Sequence, residues 1–240
     1  MASRVRTADK HREGHGEGGG IQTLRDLVLG MADGLTVPFA LAAGVTGAVA
    51  SSAIVLTAGV AEIVAGAISM GLGGYLAART EQDHYHKEYQ REITETVEIP
   101  NEERAEVAQI LHDYGVREPV LTEAVEQIAR NQQHWVDFMM RNELGLERPD
   151  PGAAPRSAVL VGGGYVLGGI FPLAPYVFIS DAHQALLWSV GFTSLALLVF
   201  GAVRARVLGM PQLTGALQAW FIGAVAAGAA YGLARLVMHP

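Results

Sequence analysis

Five stretches of this chain are almost free of charge, and each is close to the length of a helix that crosses a bilayer. They run from Leu27 to Ala50, Ile54 to Ala78, Ala158 to Ile179, Ala185 to Val203 and Gly215 to Leu236. About 20 apolar residues wound as an α-helix cover the ~30 Å of a hydrocarbon core. Lipid gives the backbone no hydrogen-bonding partner, and a helix satisfies its own. The expected fold is an all-α membrane protein of five transmembrane helices, with a helical domain inserted between the second and third. Residues 1–20 are expected as a disordered tail, 21–80 as helices one and two, 81–150 as the inserted domain and 151–240 as helices three to five. Gly30 with Gly34 and Gly164 with Gly168 form GxxxG pairs, which let helices approach closely within a bilayer.

Charge is concentrated in the insert. From Glu81 to Glu147 there are 16 acidic residues against 6 basic ones. Such a balance disfavours nucleic acid as a partner and favours cations. The chain has no cysteine, which excludes disulfides and thiolate metal sites. The first twenty residues have no apolar core and do not read as a signal peptide. His11 and His15 in that tail are expected to be solvated.

Short loops set the orientation. Arg79, Arg156, Arg204 and Arg206 fall on one side of a five-span arrangement, together with the basic tail. The Ser51–Ser52 hairpin, Asp181 and His183 fall on the other. The excess of arginine places the tail and insert in the cytoplasm and the C-terminus across the membrane, with Arg235 as the one objection. Within the insert, Thr80 to Val97 extends the second span as a charged helix. Pro100 breaks it, and Asn101 is expected to cap a helix that ends at Gly115. Pro119 to Arg130 and Gln133 to Leu144 are two more helices, and PDPGAAP is a linker.

Ionisable groups within a span are costly and commonly mark an ion or proton path. Asp33 and Glu62 are two, and Met70 lies about two turns after Glu62 on roughly the same side. In the insert, Glu92/Glu95 and Glu103/Glu106 are i,i+3 pairs, so each pair repels itself on one helix face unless a cation relieves it. Met139 and Met140 precede Glu143 by four and three residues, so thioether and carboxylate can point together. Carboxylates with thioether suit a divalent transition metal better than Mg²⁺ or Ca²⁺, which take oxygen ligands. Acidic pairs more often form a solvated face and methionine pairs more often fill a core, so spacing alone leaves both readings open. His84 and His86 flank Tyr85, cannot share one helix face, and are expected on the surface. Gly162 to Gly164 opens no phosphate loop, and no hydrolytic constellation is present; no enzymatic activity and no organic cofactor are expected.

Three stretches, RDLVLGMADGLTVPFALAAG, AEIVAGAISMGLGGYLAARTEQDHY and WVDFMMRNELGLERPDP, resemble the vacuolar iron transporter family, and the likeness runs from about Arg25 to the C-terminus. The resemblance implies a dimeric five-helix transporter with a cytoplasmic metal-binding domain, exchanging Fe²⁺, and to some extent Mn²⁺ or other divalent transition metals, for protons. It puts metal ligands at Glu92, Glu95, Glu103, Glu106, Met139, Met140 and Glu143, and the translocation path at Asp33, Glu62 and Met70. It also implies methionines that ligate, with Trp135 and Phe138 packed behind them. The membrane would be vacuolar in a eukaryote and the plasma membrane in a bacterium. Two other classes compete: a membrane-anchored di-iron ferroxidase, which would want Glu-x-x-His pairs, and a metal-sensing scaffold, which would need neither Asp33 nor Glu62.

Overall fold

A computed structural model describes residues 17–238. Every regular element among the described residues is helical: α1 (Glu17–Ala48), α2 (Ser52–Glu98), α3 (Pro100–Asp113), α4 (Val120–Ala129), α5 (Gln132–Asn142), α6 (Ala153–Phe178), α7 (Ala182–Val207) and α8 (Gln212–Met238). Five of them, α1, α2, α6, α7 and α8, are long and apolar enough to cross a membrane. Two compact units result. One holds the described residues up to Leu76 and from Ala154 onward; the other is Ala77–Ala153. The helix α2, 47 residues long, contributes to both.

The first unit packs by bringing backbones together. A Cβ added at Gly30 would fall on the carbonyl of Val161, and one at Gly34 on that of Tyr165. From the opposite side, a Cβ at Gly164 would lie 3.0 Å from the Leu27 carbonyl, and one at Gly168 2.7 Å from the Leu35 nitrogen. The two GxxxG pairs therefore face each other across the α1–α6 contact. This close approach favours dispersion contacts where lipid supplies no hydrophobic drive. The helix α2 lies on α6 as well, with Gly59 against Leu173 and Gly66 against the Tyr165 ring. Ala42, Val55, Ile63, Leu173, Tyr176, Ala182 and Ala185 form an apolar core among α1, α2, α6 and α7. Val60, Val64, Ile68 and Leu72, about one per turn of α2, are exposed, as suits a face turned to lipid. The hairpins that charge assigns to one side do meet: the Ser52 N–H donates to Ser180 at 3.2 Å and the Ala182 N–H to Ala50 at 3.0 Å. Asp181 caps α7 by accepting from the Gln184 N–H.

The second unit is built on amphipathic helices. Val107, Val125, Trp135 and Met139 make one apolar cluster, and Tyr85, Val136 and Met140 another. Gly115 closes α3 at φ 93°, where its N–H donates to His112 and that of Val116 to Leu111. Those paired bonds are the Schellman arrangement, which glycine permits because it has no Cβ.

Three expectations need correcting. The disordered tail was expected to reach residue 20, but α1 starts at Glu17; a span once nucleated propagates outward, supported by the Gln22–Asp26 hydrogen bond across one turn. Residues 1–16, with His11 and His15, lie outside the described residues. Asn101 does not cap α3. Ile99 holds that position with no side-chain bond, and Pro100 takes the first helical position, where its fixed φ fits and no N–H is missed. The linker is shorter than PDPGAAP, because α6 begins at Ala153.

Candidate metal and ion sites

Both units carry carboxylates away from water. In the first, Glu62 on α2 is half-buried. The Tyr165 hydroxyl of α6 donates a hydrogen bond to its Oε1, while its Oε2 is buried without a partner. A buried carboxylate oxygen with no donor is an open acceptor position for a proton or a cation. Asp33 of α1 immediately precedes Gly34, which lies on the Tyr165 backbone. Tyr165 is thus placed between the helices that carry the two acids. Met70 lies farther along α2 and is half-buried. Sequence reasoning missed Tyr165. Its signal was a hydroxyl inside an uncharged span, between the two glycines of a GxxxG pair.

In the second unit, α2 supplies Glu92 and Glu95, and α3 supplies Glu103. One carboxylate oxygen from each lies within 4.8 Å of the others. Glu92 is 1% exposed and Glu103 2%, and each has a buried Oε2 without a partner. The turn at Ile99–Pro100 folds α3 back so that the two acidic pairs, each legible on its own helix, converge. Glu106 and Glu143 complete an electrostatically coupled set. Burial, then the charges of Glu106, Glu92 and Glu95, pushes the Glu103 carboxyl up to about 7. Burial, then Glu106 and Glu92, pushes Glu143 up to about 7 as well, although much of its side chain reaches solvent. Like charges held this close favour either proton uptake or a bound cation.

Both methionines are buried, each in its own apolar cluster. Met139 is fully buried against Val107, Val125 and Trp135, and Met140 is 1% exposed beside Tyr85 and Val136. Neighbours on a helix point about 100° apart, so the pair divides between two clusters. Trp135 packs with Met139, and the Arg104 guanidinium covers its ring at 5.2 Å. His84 and His86 are both exposed, as expected; His86 Nδ1 is 2.6 Å from the Gln82 carbonyl. Sequence reasoning also missed Arg91. It lies 2.7 Å from Glu88, 3.2 Å from Glu92 and 3.4 Å from Glu95. Its signal was the run EYQREITE, which puts one cation a helical turn or less from three acids.

Residues 24–235 match the profile of the VIT family. The chain is 52% identical to Vacuolar iron transporter 1 of Oryza sativa subsp. japonica, over 95% of this chain and 89% of that protein. It is 52% identical to Vacuolar iron transporter 1 of Arabidopsis thaliana, over 96% of this chain and 92% of that protein. It is 37% identical to Protein CCC1 of Saccharomyces cerevisiae, over 90% of this chain and 69% of that protein.

Proposed function

The chain belongs to the VIT family, and from that premise we propose that it carries Fe²⁺ across a membrane in exchange for protons, with Mn²⁺ and other divalent transition metals as further cargo. The observation that carries this reading is the Glu62 carboxylate, tied to Tyr165 by one oxygen and left open at the other inside an apolar helix bundle. A helix that served only as an anchor would have no use for such a group, which argues against the scaffold reading. The glutamate triad has no histidine, which argues against the ferroxidase.

In this proposal the second unit is cytoplasmic and collects metal. Glu92, Glu95 and Glu103 supply the inner oxygens, Glu106 and Glu143 add charge and further oxygens, and the thioethers of Met139 and Met140 favour a transition metal over Mg²⁺. Carboxylates must lose their protons to hold a metal, so loading releases protons and acid releases metal. Asp33 and Glu62, with Met70, carry the ion through the first unit. When the metal leaves on the acidic side, protons take its place on the carboxylates, and their return releases them into the cytoplasm. Tyr165 orients Glu62 and keeps one oxygen satisfied while the other changes its occupant. The working form is a homodimer with its N-terminus in the cytoplasm. Its membrane is vacuolar, as the names of its plant relatives suggest, or the plasma membrane in a bacterium.

The test is uptake in proteoliposomes of the full chain, with Fe²⁺ supplied outside, acid inside and internal pH recorded. Metal entry coupled to proton exit is the expected result. Metal binding without uptake at any pH gradient would overturn the reading.

A further inference from the structure

We propose that Arg91 is a built-in competitor for the glutamate cradle, a counter-ion that metal must displace and that thereby sets which cations can load. The inference rests on reading Glu92, Glu95 and Glu103 as a metal site. Arg91 spreads its guanidinium over three acids of α2: Nη1 lies 2.7 Å from Glu88, Nη2 3.2 Å from Glu92 Oε1, and Nε 3.4 Å from Glu95 Oε2. Two of these acids belong to the triad whose oxygens converge within 4.8 Å. A metal held by the triad and a guanidinium held by Glu92 and Glu95 draw on the same carboxylates.

The competition is unequal by construction. A guanidinium brings one delocalised charge and cannot deprotonate, so only displacement removes it. It satisfies the rim and leaves the inward Oε2 atoms of Glu92 and Glu103 without a partner. A divalent ion brings twice the charge to a point among all three carboxylates. The Arg91 side chain is 47% exposed, so it can turn outward and be hydrated when displaced. The threshold falls hardest on ions that give up water reluctantly, Mg²⁺ above all. A transition metal that binds its ligands more tightly clears it. Arg91 is a specificity-determining residue rather than a ligand.

The experiment is titration calorimetry of the full chain in detergent with Zn²⁺ and with Mg²⁺, at low and at high salt. Arg91→Gln is expected to tighten Zn²⁺ binding roughly five- to tenfold, the scale of an ion pair or two no longer opposing it. It should tighten Mg²⁺ by more, so that the preference for Zn²⁺ narrows. Both gains should shrink at high salt, where exposed charges are screened; loss of a merely structural brace would not depend on salt in this way. Unchanged or weaker Zn²⁺ binding in folded Arg91→Gln would overturn the proposal. If that variant does not fold, Arg91→Lys decides, because a compact ammonium cannot span three carboxylates. Tighter Zn²⁺ binding than the wild type supports the competitor, and equal or weaker binding overturns it. The paired variant Glu92→Gln with Glu103→Gln separates the two levels: if it leaves Zn²⁺ binding intact, the metal-site reading fails, whatever Arg91 does.

Discussion

The two units handle the same problem, a carboxylate removed from water, in opposite ways. In the helix bundle, Glu62 has neither a cation nor a second acid bonded to it among the described residues, only the Tyr165 hydroxyl and an unfilled Oε2. In the acidic unit, Glu92, Glu95 and Glu103 crowd together and Arg91 stands at their edge. An isolated acid with one neutral donor can accept an ion and give it up, because little else holds that ion. A crowded set gains stability from any cation it captures, and retains it longer. Passage and capture thus call for different surroundings around the same functional group.

The comparison breaks most sharply on the isolated acids. Asp33→Asn and Glu62→Gln keep size and remove charge, and each is expected to cut Fe²⁺-for-proton exchange by about a hundredfold or more, since no other route for the charge is provided. Metal binding by the acidic unit should be retained. Uptake and equilibrium binding measured on the same preparation check both halves; wild-type uptake in either variant would remove these residues from the path.

Glu103→Ala combined with Glu106→Ala should act more mildly. Apparent affinity for Fe²⁺ in uptake assays should fall roughly tenfold as ligand oxygens are lost, while transport at saturating metal persists. Equal loss at all concentrations would mean that the two units do not divide capture from passage.

The next effect is in pH. Glu103 and Glu143 have values pushed up to about 7 by burial and neighbouring carboxylates. A carboxyl whose folded-state value is raised favours the fold below its unfolded value, and that contribution is lost as pH climbs through about 7. The unloaded acidic unit should therefore open more readily at about pH 8 than at about pH 5.5, read as lower hydrogen-exchange protection factors in α3 and α5 of the full chain, each rate taken relative to the intrinsic rate at its pH. Metal should reverse the trend, and its affinity should rise severalfold from about pH 6 to about pH 8 as protons stop competing. Affinity indifferent to pH would detach these two acids from the site.

The smallest effect is reserved for the methionines. Met139→Leu with Met140→Leu conserves volume in two packed clusters, so the fold should change by less than about 1.5 kcal/mol. A loss of about threefold in transition-metal affinity, with Mg²⁺ unaffected, is expected if thioethers contribute to the donor set. Identical affinity would leave both as packing alone.

What the sequence made legible follows from how many partners each inference needed. A span needs only its own residues and lipid, so all five could be read, and the GxxxG pairs announced a close contact before its partner was known. The glutamate pairs could be read helix by helix. Their convergence could not, because nothing local states which faces meet across the Ile99–Pro100 turn; the family resemblance supplied that. Asn101 was misplaced because a good capping residue stood next to a proline that fits the first helical position still better. Tyr165 was missed because it matters through Glu62 on another helix. Arg91 matters through acids of its own helix and was missed because an arginine among acids on a charged helix reads as an ordinary solvated face.

The seam between α1 and α6 limits how this bundle can move. Its glycines meet main-chain atoms directly, at Val161 and Tyr165 on one side and at Leu27 and Leu35 on the other. Slippage by even one residue would drive a side chain into a slot that holds none, so the two helices are locked in register like a key and its wards. The α2–α6 contact is mixed: Gly71 and Gly162 meet the Ala158 and Ala67 carbonyls, whereas Gly59 and Gly66 face the Leu173 and Tyr165 side chains. Rotamers can swing where a backbone cannot yield. The α1–α6 pair and the Gly71–Gly162 crossing are then the fixed points, and any freedom of α2 lies toward its Ser52 end, where displacement would stretch the bond that Tyr165 makes to Glu62.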